Sequence, residues 1–173
     1  RTLWVVLYFG VVAGLLAYNA FLAVVIRERQ YVLYSAFLVF AGMAMFIYSG
    51  FRAYLLTWLG DWPDVLGSNS LFSMAGFFAL WFMREFLRLP LNQPGINRIF
   101  VVVMATSLLI AAIPLTPIPI WYASVGVSAV GVLIPPAMFW AAWVGWRRND
   151  PGARYLLVAW SVLIAAVFVQ ALR

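Results

Sequence analysis

Three short arginine clusters divide this chain into apolar stretches that are long enough to cross a membrane. The clusters are Arg27/Arg29, Arg84/Arg88/Arg98 and Arg147/Arg148/Arg154. The linkers between them, 52–64 and 113–120, carry almost no positive charge. Because the cytoplasmic loops of membrane proteins are enriched in Lys and Arg, this alternation predicts the number of crossings and their direction. It predicts six crossings, with the arginine clusters inside and both ends of the chain outside.

The bounds of the crossings follow from the length that a membrane requires. A helix rises about 1.5 Å per residue, so a hydrocarbon core of about 30 Å needs roughly 20 apolar residues. The uncharged stretch 99–146 is long enough for two spans, and Pro114, Pro117 and Pro119 divide it because closely spaced prolines cannot continue a helix. The predicted spans are Leu3–Ile26, Tyr31–Phe51, Val65–Met83, Ile99–Ile113, Ile118–Trp146 and Tyr155–Leu172. We therefore predict an all-α integral membrane protein, a polytopic helical bundle that forms a single transmembrane domain over residues 1–173.

The composition excludes several other classes of protein. Hydrophobic residues make up 66% of the chain and charged residues only 9%, whereas about 25% charge is usual in a soluble domain. The net charge of +6 is distributed between apolar segments and not gathered on one solvated face, which argues against a nucleic-acid partner. The chain has no Cys and no His, so it offers neither a disulfide framework nor the usual Cys/His metal site. It begins at Arg1 and not at Met, and we expect it to be part of a longer protein.

The predicted spans lack the ionisable residues that most enzymes use for catalysis. Ionisable groups inside a membrane are costly and usually mark function. The five acids, Glu28, Asp61, Asp64, Glu85 and Asp150, all lie at or near predicted loops. Metal hydrolysis, Cys/His chemistry and a Ser/His pair are therefore excluded within the chain. We expect that it is not an enzyme and that it carries no cofactor and no metal.

Neutral polar residues form two stripes in the outer halves of predicted helices. Asn69, Ser73 and Gly76 share one face of the third helix, and Ser124, Ser128 and Gly131 share one face of the fifth. Tyr48 and Ser49 lie at the same level. Two interpretations remain open: an outward-facing polar pocket that senses a ligand, or small and hydroxyl residues that let helices pack closely. The candidate pocket residues are Tyr48, Ser49, Asn69, Ser73, Ser124 and Ser128.

Helix 1 carries two features on opposite sides. Gly10 and Gly14 form a GxxxG pattern, which serves either packing within the chain or the seam of a homodimer. Asn19 lies about 140–180° round the helix from the glycines. We expect its amide to bond a neighbouring helix, because an unpaired amide in lipid costs several kcal/mol.

Two further groups have candidate roles in signalling or anchoring. Pro135 and Pro136 lie in mid-helix and remove backbone donors, so they are a candidate hinge. Glu85 and Arg88 have the spacing of a helical ion pair. The arginines of the three clusters are candidate cytoplasmic anchors that meet anionic lipid, with contact to a cytoplasmic module as the alternative. These anchors are Arg27, Arg29, Arg84, Arg88, Arg98, Arg147, Arg148 and Arg154.

Sequence strings spread over nearly the whole chain resemble one family of membrane receptors. The strings, in chain order, are Tyr18-Asn19-Ala20-Phe21-Leu22, Arg27 to Tyr31 with Tyr34, Gly50-Phe51 with Tyr54-Leu55 and Trp62-Pro63, Phe82 to Leu87 with Pro94 and Arg98, and Arg147-Arg148-Asn149-Asp150 with Ala153 to Trp160. Their order and spacing resemble the membrane domain of the bacterial seven-transmembrane receptors with diverse intracellular signalling modules (7TMR-DISM). Gly10, Gly14, Tyr18, Asn19, Tyr34 and Trp160 are the candidate packing and motif residues.

The resemblance implies a role in signal transduction across the bacterial inner membrane. It implies an extracytoplasmic sensory domain before helix 1 and a cytoplasmic signalling module after a seventh helix, of which this chain has six. A homodimer is expected by analogy with the family. The partners are then the lipid bilayer and these two flanking domains. The alternative function is a transporter or channel subunit for a small solute, for which Pro135-Pro136 is the main support.

Overall fold

The computed structural model describes residues 2–49, 62–117, 119–150 and 152–158, and these residues are almost entirely helical. The helices are α1 (Thr2–Ile26), α2 (Arg29–Tyr48), α3 (Trp62–Phe86), α4 (Leu89–Asn92), α5 (Pro94–Ala112) and α6 (Ile120–Arg147), with a 3-10 turn at Ile113–Leu115 and a helical stretch over 152–158. No strand occurs within these ranges. The predicted all-α class is confirmed.

Four of these helices contain segments that are long and apolar enough to span a membrane. The segments are Val6–Ile26, Arg29–Tyr48, Pro94–Leu115 and Trp121–Arg147. The fourth predicted span begins at Pro94 and not at Ile99, because proline is well accommodated in the first turn of a helix. The sixth predicted span, Tyr155–Leu172, lies largely outside the described residues. The multi-pass character is clear, whereas the number of six crossings is not fixed by these residues.

Helix α3 is less apolar than the four spans because it lies inside the bundle. It packs against α2, α5 and α6. Its buried residues are Ser70, Leu71, Ser73, Ala75, Ala79, Leu80 and Met83. A helix covered by protein on several sides can carry hydroxyl and amide groups that a lipid-facing helix cannot, since these groups find partners within the protein. The polar residues of α3 are thus a consequence of its central position.

Helix α1 packs along α2 through one face. The rings of Phe9 and Phe46 meet edge to face at 5.9 Å. A Cβ built on Gly42 would lie 3.4 Å from Val12 Cγ1, so the two backbones approach closely there. Asn19 lies on this packed face and is buried. The opposite, apolar side of α1 is open among the described residues, as expected for a surface that meets lipid.

Closely packed residues lie toward the end of the bundle that carries the arginine clusters, which we call the arginine end. One core cluster comprises Ala79, Leu80, Met83, Leu87, Leu89, Phe100, Met138, Ala141 and Ala153. A Cβ built on Gly145 would lie only 2.9 Å from the Cβ of Ala153. Glycine at 145 therefore lets α6 and the stretch 152–158 touch without a clash.

Three left-handed residues end helices at the arginine end. Arg27 has φ 58° after α1, Arg88 has φ 48° after α3, and Asn149 has φ 60° after α6. A left-handed residue is a common helix C-terminus because it lets the turn's N–H groups bond the last carbonyls. Glycine or asparagine usually fills this position, whereas two of these three residues are arginines. The three turns bring the arginine clusters together.

Candidate functional site

A cavity of about 680 Å³ opens at the arginine end, where the three turns converge. It is lined by Glu28, Arg29, Gln30, Glu85, Phe86, Arg88, Asn92, Gln93, Gly145, Arg148, Asp150 and Gly152. These residues come from the start of α2, the end of α3, the α4–α5 junction and the turn after α6. The cavity therefore takes one arginine from each of the three clusters, and its lining contains three arginines and three carboxylates.

Four of the eight candidate anchors have partners in the described part of the chain. Arg84 Nε donates to Asn97 Oδ1 at 2.7 Å and so ties α3 to α5. Arg148 donates to the carbonyl of Asn92, and Arg154 donates to Asn149 Oδ1 at 3.3 Å. The guanidinium of Arg147 lies 5.4 Å from the centre of the Trp143 ring, within cation–π range.

The remaining anchors, Arg27, Arg29, Arg88 and Arg98, are exposed. The expected ion pair between Glu85 and Arg88 does not form among the described residues. The left-handed backbone at Arg88 ends the helical spacing on which that expectation rested. Arg29 and Arg88 thus line the cavity with no protein acceptor for their guanidinium groups within the described ranges.

Gln93 is the most deeply buried polar group of the cavity, with 4% of its surface exposed. It caps the junction of α4 and α5, where its N–H donates to the carbonyl of Leu89 and its carbonyl accepts from the N–H of Asn97. Its side-chain Nε2 makes a long bond of 3.4 Å to the carbonyl of Ala141 on α6. Its Oε1 is buried without a donor among the described residues.

At the other end of the bundle, which we call the distal end, the two predicted polar stripes meet. The side-chain amide of Asn69 donates to the hydroxyl of Ser124 at 2.7 Å, so α3 and α6 are joined there. Ser73, one turn below Asn69, is buried. The neighbouring Ser70 is buried too, and its hydroxyl has no partner among the described residues.

The other candidate pocket residues do not join this contact. Ser128 donates to the carbonyl of Ser124 within α6, and Ser49 donates to the carbonyl of Phe46 within α2. Tyr48 is 75% exposed. The geometry thus joins Asn69 and Ser124, whereas the hydroxyls of Ser49 and Ser128 donate to backbone carbonyls near them in the chain.

The candidate residues of α1 and α2 take different positions. The amide of Asn19 donates to the carbonyl of Leu15 at 2.8 Å, so the bond stays within α1, although an interhelical bond was expected. The carbonyl one turn back on the same helix is within reach of this amide, and the bond pairs one of its N–H groups without a neighbouring helix. The Tyr34 ring packs against Phe82 of α3 at 5.3 Å. Tyr18 is exposed among the described residues, and Trp160 lies outside them.

The expected hinge in α6 does not interrupt the helix, which continues through Pro135 and Pro136. A non-helical residue occurs instead at Gly67 of α3, with φ 59° and ψ 155°. This conformation is essentially restricted to glycine. The break lies two residues before Asn69, next to the bond between α3 and α6. The broken helix that a transporter site would favour is therefore not found at the proline pair.

The same chain was compared with known proteins. The family model described as 7TM diverse intracellular signalling matches residues 1–173. The chain belongs to this family. Neither the curated proteins nor the solved structures gave a match.

Membership of the 7TM diverse intracellular signalling family confirms the resemblance seen in the sequence. The chain is a multi-pass transmembrane receptor domain of a class that works with intracellular signalling modules. The family is a sensory and signalling domain. The described residues contain no cluster of acids, Cys or His that could hold a metal ion.

The family domain contains functional candidates that sequence reasoning missed. Gln93 and Asn92 received no role, because they lie in a predicted loop and no pattern marks a buried amide. The short helix α4 was missed as well. Pro90 and Pro94, each in the first turn of a helix, were the available signal for α4 and α5.

Proposed function

We propose that this domain relays an extracytoplasmic signal to an intracellular module by a rearrangement of the bundle about α3. The supporting observation is that α3 takes part in contacts at both ends. Its distal part bonds α6 through Asn69 and Ser124. Its other end bonds α5 through Arg84 and Asn97 and contributes Glu85 and Arg88 to the arginine-end cavity.

The chemistry of α3 suits two alternative packings. Its non-helical residue at Gly67 separates the first turns from the rest of the helix. Polar contacts such as that of Asn69 can be exchanged between partners at small free-energy cost. A packed core, such as the one at the arginine end, generally changes between discrete arrangements and does not deform continuously. A signal that binds one packing better than the other then shifts their populations.

The orientation follows from the arginines. We place the arginine end in the cytoplasm, because cytoplasmic loops carry the excess of Lys and Arg. The N-terminus and the distal end are then extracytoplasmic, in the bacterial inner membrane. The polar residues at the distal end, with Asn69 and Ser124 at their centre, face the sensory side. The arginine end faces the signalling module that the family name implies.

A homodimer is the assembly that we propose for the relay. Gly10 and Gly14 are exposed, and no heavy atom among the described residues lies within 4 Å of a Cβ built on either glycine. Small residues at this spacing allow two membrane helices to approach closely. Replacing both glycines by leucine should reduce self-association in a membrane-based dimerisation assay, whereas Gly131→Leu, on another open helix face, should not.

The relay is tested by linking α3 to α6 at the distal end. The chain contains no cysteine, so Asn69→Cys with Ser124→Cys introduces a defined pair into the domain of the full-length receptor. A short, cleavable thiol cross-linker should shift the basal output of the intracellular module, and cleavage should restore it. The two single-cysteine variants serve as controls. An output that stays the same before and after linkage contradicts the relay.

A further inference from the structure

The arginine-end cavity has the size of a small-molecule site. Its volume of about 680 Å³ falls within the roughly 300–1,000 Å³ that is usual for ligand pockets. It lies where helices of membrane-spanning length end, and in a bilayer this position would be close to the lipid head groups. Its occupant must therefore match a lining that consists mostly of charged and amide-bearing residues.

The lining offers both signs of charge. Among the three arginines, Arg148 is held by the Asn92 carbonyl, whereas Arg29 and Arg88 have no acceptor in the described part of the protein. Among the three carboxylates, Glu28 accepts from Gln30 and Asp150 accepts from the N–H of Gly152 at 2.9 Å. Glu85 is exposed and accepts from no described residue. Two guanidinium groups and one carboxylate thus remain for a ligand.

Gln93 places a second, independent requirement on the ligand, which is a hydrogen-bond donor. Its side chain is almost fully buried, lines the cavity, and leaves Oε1 without a donor among the described residues. Buried acceptors in folded proteins are nearly always satisfied by protein, water or a ligand. The long bond from Nε2 to Ala141 holds the amide only weakly, so a small rotation can present Oε1 to the cavity. A ligand in this cavity could therefore supply the hydrogen-bond donor that Gln93 Oε1 lacks.

The unpaired arginines, Glu85 and Gln93 together favour a ligand that carries both an anionic group and a hydrogen-bond donor. A simple anion would satisfy Arg29 and Arg88 but would also face Glu85 and leave Gln93 unpaired. A simple cation would face the arginines. A phosphate ester with an ammonium group meets all four residues, because arginine binds phosphate oxygens and an ammonium donates three hydrogen bonds. The phosphoethanolamine group has this chemistry.

We propose that the cavity binds one phosphoethanolamine group, with its phosphate on Arg29 and Arg88 and its ammonium directed to Glu85 and Gln93 Oε1. The head group of phosphatidylethanolamine presents this group at the membrane surface, and soluble phosphoethanolamine has the same chemistry. A bound head group bridges the start of α2, the end of α3 and the α4–α5 junction. The site is independent of whether the domain relays a signal.

This site differs in a measurable way from a basic patch that attracts anionic lipid. A patch favours phosphatidylglycerol because of its net charge, and it holds several lipids weakly. The proposed site holds one lipid and favours phosphatidylethanolamine. It also discriminates against phosphatidylcholine, whose quaternary ammonium has no N–H to donate. The comparison of these three head groups separates charge from hydrogen bonding.

The test is native mass spectrometry of the purified full-length protein released from membranes that contain the three lipids in equal amounts. We expect one retained phosphatidylethanolamine, favoured over each competitor by roughly fivefold or more, the factor that about one net hydrogen bond contributes. Arg29→Gln and Arg88→Gln should each reduce retention by at least that factor, roughly fivefold. Arg98→Gln is the matched control, since Arg98 is an exposed arginine at the same end that does not line the cavity.

Two further experiments distinguish the lipid from soluble phosphoethanolamine and test the role of Gln93. If soluble phosphoethanolamine displaces the lipid at millimolar concentration, the group is recognised in either form; if it does not, recognition includes the lipid's glycerol and chains. Gln93→Met should reduce the preference over phosphatidylcholine, because the ammonium then keeps only its hydrogen bond to Glu85. The surface variants Arg29→Gln and Arg88→Gln keep the proposal testable if this buried variant does not fold. Equal retention of the three lipids, or an equal loss in Arg98→Gln and Arg88→Gln, would overturn the proposal.

Discussion

Asn69 and Ser124 lie 55 positions apart in the chain and are joined by a hydrogen bond of 2.7 Å between α3 and α6. The sequence placed the two residues in separate polar stripes, and the fold brings these stripes into register. In this bond the two side chains pair with each other across two helices, and neither needs a backbone group of its own helix as partner. We therefore expect the two side chains to be energetically coupled.

A double-mutant cycle measures this coupling. Asn69→Ala, Ser124→Ala and the double variant should give a coupling free energy of about 0.5–1.5 kcal/mol, the range found for hydrogen bonds between membrane helices. The measurement is thermal or detergent-induced unfolding. Ser128→Ala is the control, because the Ser128 hydroxyl donates to a carbonyl within α6. Its coupling free energy with Asn69→Ala should be close to zero. Additive effects of Asn69→Ala and Ser124→Ala would show that the bond contributes nothing.

The contact between Gly145 and Ala153 should tolerate no additional methyl group. Gly145→Ala places its Cβ 2.9 Å from that of Ala153, and neither group can move without its backbone. Overpacking of this kind typically costs about 1–3 kcal/mol in the free energy of unfolding. Ala153→Gly removes the opposing methyl and should restore much of the loss in the double variant. Failure of this rescue would indicate a different cause of the destabilisation.

Glycine should be required at position 67 because of its backbone conformation and not because of steric contacts. A Cβ at Gly67 meets no heavy atom within 4 Å among the described residues, yet its φ of 59° and ψ of 155° strain any other residue. Gly67→Ala should lower the free energy of unfolding by about 1–3 kcal/mol. Gly131→Ala is the matched control in a regular helix with the same open surroundings, and it should stabilise by about 0.5–1 kcal/mol. Equal effects of the two substitutions would mean that the break in α3 is not a feature of the folded protein.

The proposed orientation can be read from the accessibility of single cysteines. Leu91 is 83% exposed at the arginine end, and Leu115 is 74% exposed at the distal end. In intact cells a membrane-impermeant maleimide should label Leu115→Cys and spare Leu91→Cys, because the proposed orientation places the arginine end in the cytoplasm. Both variants should react after the membrane is opened. The reverse pattern in intact cells would invert the topology.

The sequence was sufficient for what depends on composition and periodicity. Apolar length predicted helices close to those observed, and the two polar stripes contained Asn69 and Ser124, which the fold joins by a hydrogen bond. Features that depend on tertiary contacts could not be predicted. The left-handed backbone of Arg88 breaks the spacing that predicted an ion pair with Glu85. Asn19 bonds its own helix because a backbone carbonyl competes with any neighbour, and the sequence does not say which acceptor prevails.

The cavity at the arginine end illustrates the same limit. Its lining comes from the start of α2, the end of α3, the α4–α5 junction and the end of α6 with the turn after it, and it includes the buried Gln93, whose side chain reaches the Ala141 carbonyl of α6. Charge patterning predicted that the arginine clusters share one side of the membrane. It could not predict that the loops would enclose a cavity between them. Loop positions carry no periodic signal, so their proximity emerges only in the folded bundle.

Hydrogen exchange is the most direct measurement of coupling between the two ends. The full-length receptor with Asn69→Cys and Ser124→Cys is compared in membranes before and after linkage at the distal end. If α3 transmits the change, exchange of backbone amides should change in 85–93 and 148–152, at the far end of the bundle, as well as near residues 69 and 124. A change confined to the surroundings of 69 and 124 would contradict the relay.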